Sequence, residues 1–295
     1  MQLYKNIKHL LSHPIGRRIK LKSLASFFKW QFAQKILQNP ALMPFIEDSV
    51  FLVKKGMTGA TGNIYSGLHE FDEMSFLLHF LKKEDVFFDV GANVGSYTIL
   101  ASKVIGAISC SFEPSTSTFK HLEDNVFLNR IQEKALILNK GVGAEKGYIR
   151  FSINQDTINH VVLNEKEESI SIEITTLDQH IEEQKIIPTL IKIDVEGFES
   201  EVIRGADSLL LDQTLQAVVM ELNGSGERYG FDEEAIHQKM LSSGFKAYKY
   251  EPFDRKLELR KERSLHGNTI YIKDFNQAIE RLKEARYFEV MGVKV

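Results

Sequence analysis

Apolar positions change their rhythm along the chain. From Met1 to about Asn39, Ile19, Leu21, Leu24, Phe27, Phe28, Phe32 and Ile36 recur near helical spacing with lysines between them, which predicts helices. Asn39, Pro40 and Pro44 end that pattern. The stretch from Phe51 to Ile64, with Gly56, Gly59 and Gly62, reads as a short hairpin or loop, and Glu70 to Leu81 as a short amphipathic helix. From Val86 onward, compact apolar runs alternate with helical patterns. Val86 to Val90 (VFFDV), Ala107 to Phe112, Ala135 to Gly141, Thr189 to Asp194 (TLIKID) and Ala217 to Leu222 (AVVMEL) read as core strands. Helices are expected over 96–104, 115–128, 199–211, 232–243 and 275–287. Tyr148 to Ile153 and Ser169 to Thr176 read as further strands, and Phe245 to Tyr250 with Asn268 to Ile272 as a closing hairpin. Strands alternating with helices predict a doubly wound α/β sheet with right-handed crossovers. In such sheets ligands sit at the carboxyl ends of the strands.

Charge adds a second division. The 295 residues include 37 Lys+Arg and 40 Asp+Glu, yet no acidic residue precedes Glu47. Eight basic residues, Lys5, Lys8, Arg17, Arg18, Lys20, Lys22, Lys29 and Lys35, give the first 46 residues a charge of +8. That leaves 29 basic against 40 acidic residues, a balance of −11, for the remainder. Residues 1–46 therefore read as a basic helical extension on an acidic body, a pattern that points to a polyanion or a membrane surface. A content of 43% hydrophobic and 10% aromatic residues excludes a disordered chain. No uncharged apolar run reaches the roughly 18–20 residues that span a bilayer. Cys110 is the only cysteine, which excludes an internal disulfide or a cysteine metal cage and suits a reducing interior. No signal peptide is expected, because the N-terminus has no unbroken apolar core followed by a small-residue cleavage site. The expected location is cytoplasmic; the basic helices fit either packing on the domain with their lysines solvated, the favoured reading, or peripheral contact at the inner face of the membrane. The acidic body opposes a general nucleic-acid binder.

The strand ends carry the candidate chemistry. The first core strand runs into Asp89-Val90-Gly91-Ala92-Asn93-Val94-Gly95. Small residues there let the chain bend into a helix, and Gly91 and Gly95, without a Cβ, let a ligand approach the main chain. The second strand runs into Glu113, 24 residues after Asp89, one βαβ step on. An acid at that place accepts ribose hydroxyls in nucleotide-binding α/β folds; otherwise the element is an ordinary turn with a solvated glutamate. The G-x-N-x-G spacing, with Thr98 where a third glycine would stand, departs from the dinucleotide fingerprint. Asp89 would repel a pyrophosphate but suits a cationic amino acid–sulfonium ligand.

Asp194 and Glu196 lie two residues apart at the end of the fourth strand, on one face, with Lys192 in the same parity. The fifth strand ends in Glu221-Leu222-Asn223. In a sheet ordered 3-2-1-4-5 these tips adjoin the first strand, so Asp194, Glu196, Glu221 and Asn223 can converge. Two chemistries fit. A carboxylate can act as general base on a hydroxyl, or Asp194, Glu221 and Asn223 can hold a divalent metal such as magnesium. Glu199 is expected to cap the following helix. His160 is a further candidate for the base or for acceptor contact, against the plain reading of a solvated loop histidine. Arg228 and Tyr229, just after the fifth strand, suit sugar contact or equally an ordinary surface loop. There is no D/N-P-P-Y/F tetrapeptide for a flipped base, no P-loop, no zinc spacing and no serine nucleophile elbow.

DVGANVGSYT (89–98), FEP (112–114), LEDN (122–125) and LIKIDVEGFESEVIRGA (190–206) together resemble the FkbM family of S-adenosylmethionine-dependent O-methyltransferases, over about Gly59 to Asn223. The resemblance implies a seven-stranded, Rossmann-like methyltransferase sheet in a domain over 47–295, with its core signature at about 84–223. It implies S-adenosylmethionine as methyl donor and hydroxyls of sugars or polyketide-like products as acceptors. By position, Asp89, Gly91, Asn93 and Gly95 would line the methionine end of the cofactor and Glu113 would hold the ribose. The third strand tip, Lys140 to Gly143 with Gly141, would border the adenine, but its KGVG lacks the acidic residue often found nearby in the fold. The expected function is O-methylation of a sugar hydroxyl in a glycan or glycosylated product, with Asp194, Glu196 and His160 as catalytic candidates. The alternative is a non-catalytic module that uses the basic helices to sit on a membrane or a polyanionic glycan. The apolar leader and the C-terminal helix are the surfaces expected to serve a homo-oligomer.

Overall fold

Eight strands assemble into the central sheet: β1 (Val86–Val90), β2 (Ile108–Phe112), β3 (Ala135–Leu138), β4 (Leu190–Ile193), β5 (Ala217–Glu221), β6 (Lys246–Glu251), β7 (Lys256–Leu259) and β8 (Asn268–Ile272). The computed structural model describes residues 2–36, 40–54, 57–152, 161–162, 168–265 and 267–295. The strand order is β3-β2-β1-β4-β5-β8-β6-β7. β1 to β5 run parallel, and β8 enters antiparallel between β5 and β6. The expected seven strands are present, with β7 added at the edge as a hairpin partner of β6.

Alternation along each strand divides the core between the two faces of the sheet. Phe87, Leu190, Val219 and Ile270 pack on one face with Phe76, Phe80, Leu100 and Leu282. Phe88, Ile191, Val218 and Met220 pack on the other with Leu177, Val202, Leu209 and Met240. Helices thus cover both faces, as near-continuous apolar strands require. The leader folds as helices Gln2–Ser12, Pro14–Arg18 and Lys20–Ile36. Its Ile15 shares an apolar cluster with Ile46 and the first sheet face, and Trp30 packs with Phe51 and Val53. His13 Nε2 lies 2.8 Å from the Leu68 carbonyl oxygen.

Several expectations change; the helix expected over 199–211, for one, is broken at Gly205 into Glu199–Arg204 and Asp207–Leu211. The hairpin lies earlier than expected, pairing Ala41–Pro44, within the stretch read as a helical extension, with Val50–Val53, and Thr58–Ser66 is a helix despite two glycines. A Cβ at Gly62 would stand 2.3 Å from His69 Nδ1, so this glycine serves close packing rather than a turn. The third core strand stops at Leu138, and Gly141–Val142 joins Gly147–Ser152 and Ser169–Thr175 in a separate three-stranded sheet. Asn139 causes the break: its amide donates to the carbonyl oxygens of Glu113 (2.9 Å) and Pro114 (3.1 Å), holding the chain against the tip of β2. The C-terminal helix ends at Glu284, three residues short of the expectation.

Candidate functional site

The carboxyl ends of β1, β2, β4 and β5 open onto a cleft of about 310 Å³. Its floor is shaped by the β1 tip. Gly91 takes φ +82°, and a Cβ there would stand 1.8 Å from the carbonyl oxygen of Asp194. Gly91 is therefore needed first to let the β1 and β4 tips approach each other. Gly95 likewise stands against a side chain, since its Cβ would lie 2.6 Å from Leu122 Cδ1. The loop between them is tied from behind. Asn125 donates to the Val94 carbonyl (2.8 Å) and accepts the Leu52 N–H (2.8 Å), which gives the LEDN segment a structural role.

Glu113 reaches across this loop. One carboxylate oxygen accepts the Asn93 N–H at 2.9 Å and the other the Ser115 N–H at 2.8 Å. Each oxygen keeps acceptor capacity, and Glu113 lines the cleft. Burial pushes its carboxyl up to about 7, against the pull of the two N–H donors. Asp89 is buried at the cleft wall and accepts the Thr98 hydroxyl at 2.7 Å. Burial raises it to about 6, opposed by the nearby Lys192 ammonium.

Lys192 is the cation around which the carboxylates gather. Its backbone pairs with Asp89 on β1 and Val219 on β5. Its ammonium lies 2.7 Å from Asp194 Oδ2 and 4.9 Å from the centroid of the Tyr97 ring. Lys192 holds the Asp194 carboxyl below its ordinary value despite burial. Glu221 beside it moves the other way, raised by burial and by the Asp194 charge, and so keeps its proton. Glu196, at φ 55°, also lines the cleft. Burial and the Asp194 charge push it up to about 7, while Arg228 opposes them. Glu199 Oε1 accepts the N–H groups of Val195 (2.9 Å) and Gly197 (3.3 Å), holding the turn that carries Glu196.

The cleft thus gathers Asp89, Gly91, Asn93, Glu113, Asp194, Glu196 and Glu221. Gly95 is at its rim as the residue before helix Ser96–Ile99, outside the lining. Gly141 is not part of the lining either; it is buried against Ile174 in the small sheet, because β3 ended early. Asn223 does not join the acids: its Oδ1 accepts the Ser225 N–H at 2.9 Å, fixing the following turn. Among the described residues, no three His, Cys, Asp or Glu side chains stand together as a metal site. Where the sequence suggested a divalent cation, the Lys192 ammonium sits on Asp194, and Asn223 is committed elsewhere. The donor set does not fit magnesium. His160 lies outside the described residues. Tyr229 donates to the Val161 carbonyl at 3.1 Å and packs on Phe198, so its hydroxyl is engaged within the chain.

Glu70, Tyr97 and His69 line the cleft without having been singled out for it by sequence. Glu70 accepts the Asn268 amide at 2.7 Å, tying the helix before the sheet to β8. Tyr97 was within the GSYT segment, and Lys192 carried a visible signal: a charge inside a buried apolar run is costly without partners.

Comparison with known proteins places this geometry. A hexuronic acid methyltransferase, AglP of Haloferax volcanii, is 29% identical over 155 residues. That alignment covers 52% of this chain and 62% of the relative, so the chain matches less than two thirds of that protein's length. Among solved structures, precorrin-6y C5,15-methyltransferase of Geobacter metallireducens aligns with a TM-score of 0.41 and 12% identity, over 75% of this chain and 93% of that one. TrmK of M. capricolum, determined with S-adenosyl-homocysteine, aligns with a TM-score of 0.40 and 8% identity, over 68% of each chain. Residues 89–251, more than half of the chain and the span that holds all four parallel tips around the cleft, match the methyltransferase FkbM domain, and the chain belongs to that family.

Proposed function

We propose that the chain is an S-adenosylmethionine-dependent O-methyltransferase that acts on a hydroxyl of a sugar in a glycan. The observation that carries the reading is Glu113, held by two backbone N–H groups at the β2 tip, in one cleft with Asp194 and Glu196 at the β4 tip. The glycan acceptor rests on the likeness to the hexuronic acid methyltransferase. When bound, S-adenosylmethionine supplies an electrophilic methyl group. Glu113 fits the ribose, since its remaining lone pairs accept two hydroxyls. Asp89 and the Gly91–Asn93 backbone hold the amino acid end, where a carboxylate favours an ammonium.

The acceptor must lose a proton as it is methylated. Glu196 suits that role because, raised to about 7, it is both substantially ionised at neutral pH and basic enough to take a proton. Asp194 is held ionised by Lys192 and adds to the basicity that burial gives the Glu196 carboxyl, while Glu221 keeps its proton beside Asp194. The assay is methyl transfer from labelled S-adenosylmethionine to uronic-acid-containing and neutral glycans, read by mass. A glycan product heavier by one methyl group supports the reading. Label that never leaves the cofactor for any glycan would refute it.

A further inference from the structure

The third leader helix, Lys20–Ile36, is apolar on two opposite sides. Ser23, Phe27 and Trp30 are buried on its inner side. At about 100° per residue, Leu21, Phe28 and Phe32 fall within about 40° of one another on the outer side. They are 86%, 52% and 67% exposed. Lys22 and Lys29 border this stripe along one edge and Lys20 along the other, and all three are exposed. Lys22 also donates to the Met291 carbonyl (2.8 Å), which fixes the helix against the C-terminal residues with the stripe outward.

We propose that this face docks on the surface of an anionic lipid bilayer. Three aligned apolar side chains can enter the acyl boundary while flanking lysines extend to the headgroups. Charge supports the same partner. No acidic residue lies in the first 46 positions, and the remaining chain carries −11. An anionic surface therefore attracts the leader and repels the body, which sets the orientation. A two-fold pairing of copies through this stripe would instead set lysines against lysines. The helix lies on the surface, since no helix among the described residues is long and apolar enough to cross a membrane. Docking of this face does not depend on the catalytic reading.

Flotation with vesicles tests it without any activity measurement. The intact protein is expected to float with vesicles of equal parts phosphatidylcholine and phosphatidylglycerol, and to stay down with phosphatidylcholine alone. The variant L21Q/F28Q/F32Q is expected to lose at least about tenfold in partitioning. The variant K20Q/K29Q is expected to lose about fivefold per lysine and to show weaker salt dependence. Circular dichroism melting checks that both variants fold; the lysine pair keeps the test valid if the apolar variant does not. Failure to float with anionic vesicles, equal flotation with neutral ones, or variants that float like the parent would overturn the proposal. So would a dimer in sedimentation that L21Q/F28Q/F32Q disperses.

Discussion

Replacing Lys192 by Met asks whether one buried cation holds the cleft together. Methionine keeps most of the side-chain volume and removes the charge. The parent ammonium lies 2.7 Å from Asp194 Oδ2, with the Tyr97 ring 4.9 Å away and Asp89 as its cross-strand partner. Without it, Asp89 and Asp194 lose the cation that holds both carboxyls down, in a cleft that Glu196 and Glu221 also line. Removing one partner of a buried ion pair costs about 3–5 kcal/mol. The Asp194 side chain is 26% exposed, which places the cost near the lower end, at about 3 kcal/mol. The deficit also depends on pH, and its sign follows from the carboxyl. In the parent, Asp194 lies below its ordinary value, so its contribution is full above about pH 4 and lost as pH falls further. In K192M the same carboxyl rises above its unfolded value, so folding takes up a proton and stability falls as pH rises toward neutral. The gap between parent and variant therefore widens from about pH 5 to about pH 8. Urea unfolding at both values measures it, and K192M/D194N should recover part of the loss. A K192M protein within about 0.5 kcal/mol of the parent at about pH 8, or a gap independent of pH, would refute this account of the charge cluster.

Three further outcomes follow from the same geometry. Glu113→Gln should weaken S-adenosylhomocysteine binding by about 1.5–3 kcal/mol, since a charged acceptor for two hydroxyls is lost; an unchanged dissociation constant in calorimetry would contradict the ribose assignment. Turnover by the parent should rise with pH through about 7 as Glu196 ionises, and Glu196→Gln should remove both the limb and most of the rate, by about 10²–10⁴-fold, with cofactor affinity retained. A parent pH profile without that limb, or a fast E196Q, would assign the base elsewhere. Gly91→Ala should cost about 2 kcal/mol or more, because its Cβ meets the Asp194 carbonyl at a positive φ; a parental melting temperature would show that the β1 and β4 tips have slack.

Sequence patterns reached the parallel core because β1 and β4 are short apolar runs, each interrupted by a single charged residue, Asp89 or Lys192, near the end that opens onto the cleft. The covered faces follow from that pattern, while the strand order came with the resemblance to the methyltransferase fold and the hydrogen bond of Glu113 to the glycine loop is seen only in the structure. What escaped it depended on partners far along the chain. Gly59 and Gly62 suggested a loop, yet Thr58–Ser66 is helical because Gly62 lets His69 pack against it. Nothing local to Ala135–Gly141 shows that Asn139 will bind back onto the β2 tip and carry Gly141 into another sheet. Asn223 looked like a third ligand from its place at a strand end, and only the fold reveals that its side chain holds the Ser225 N–H. Glu70 enters the cleft from a helix outside the strand series, through Asn268, and no spacing rule connects them.

The central claim is that this cleft takes S-adenosylmethionine through Glu113, and calorimetric titration of the intact protein with S-adenosylhomocysteine tests it most directly. Ribose hydroxyls favour the ionised form of a carboxyl that burial has raised to about 7, so binding should release protons near neutral pH and tighten as pH rises through that value. The account predicts saturable binding at one site per chain, with an enthalpy that varies with the buffer's own protonation heat. Absence of saturable binding at millimolar ligand would contradict it.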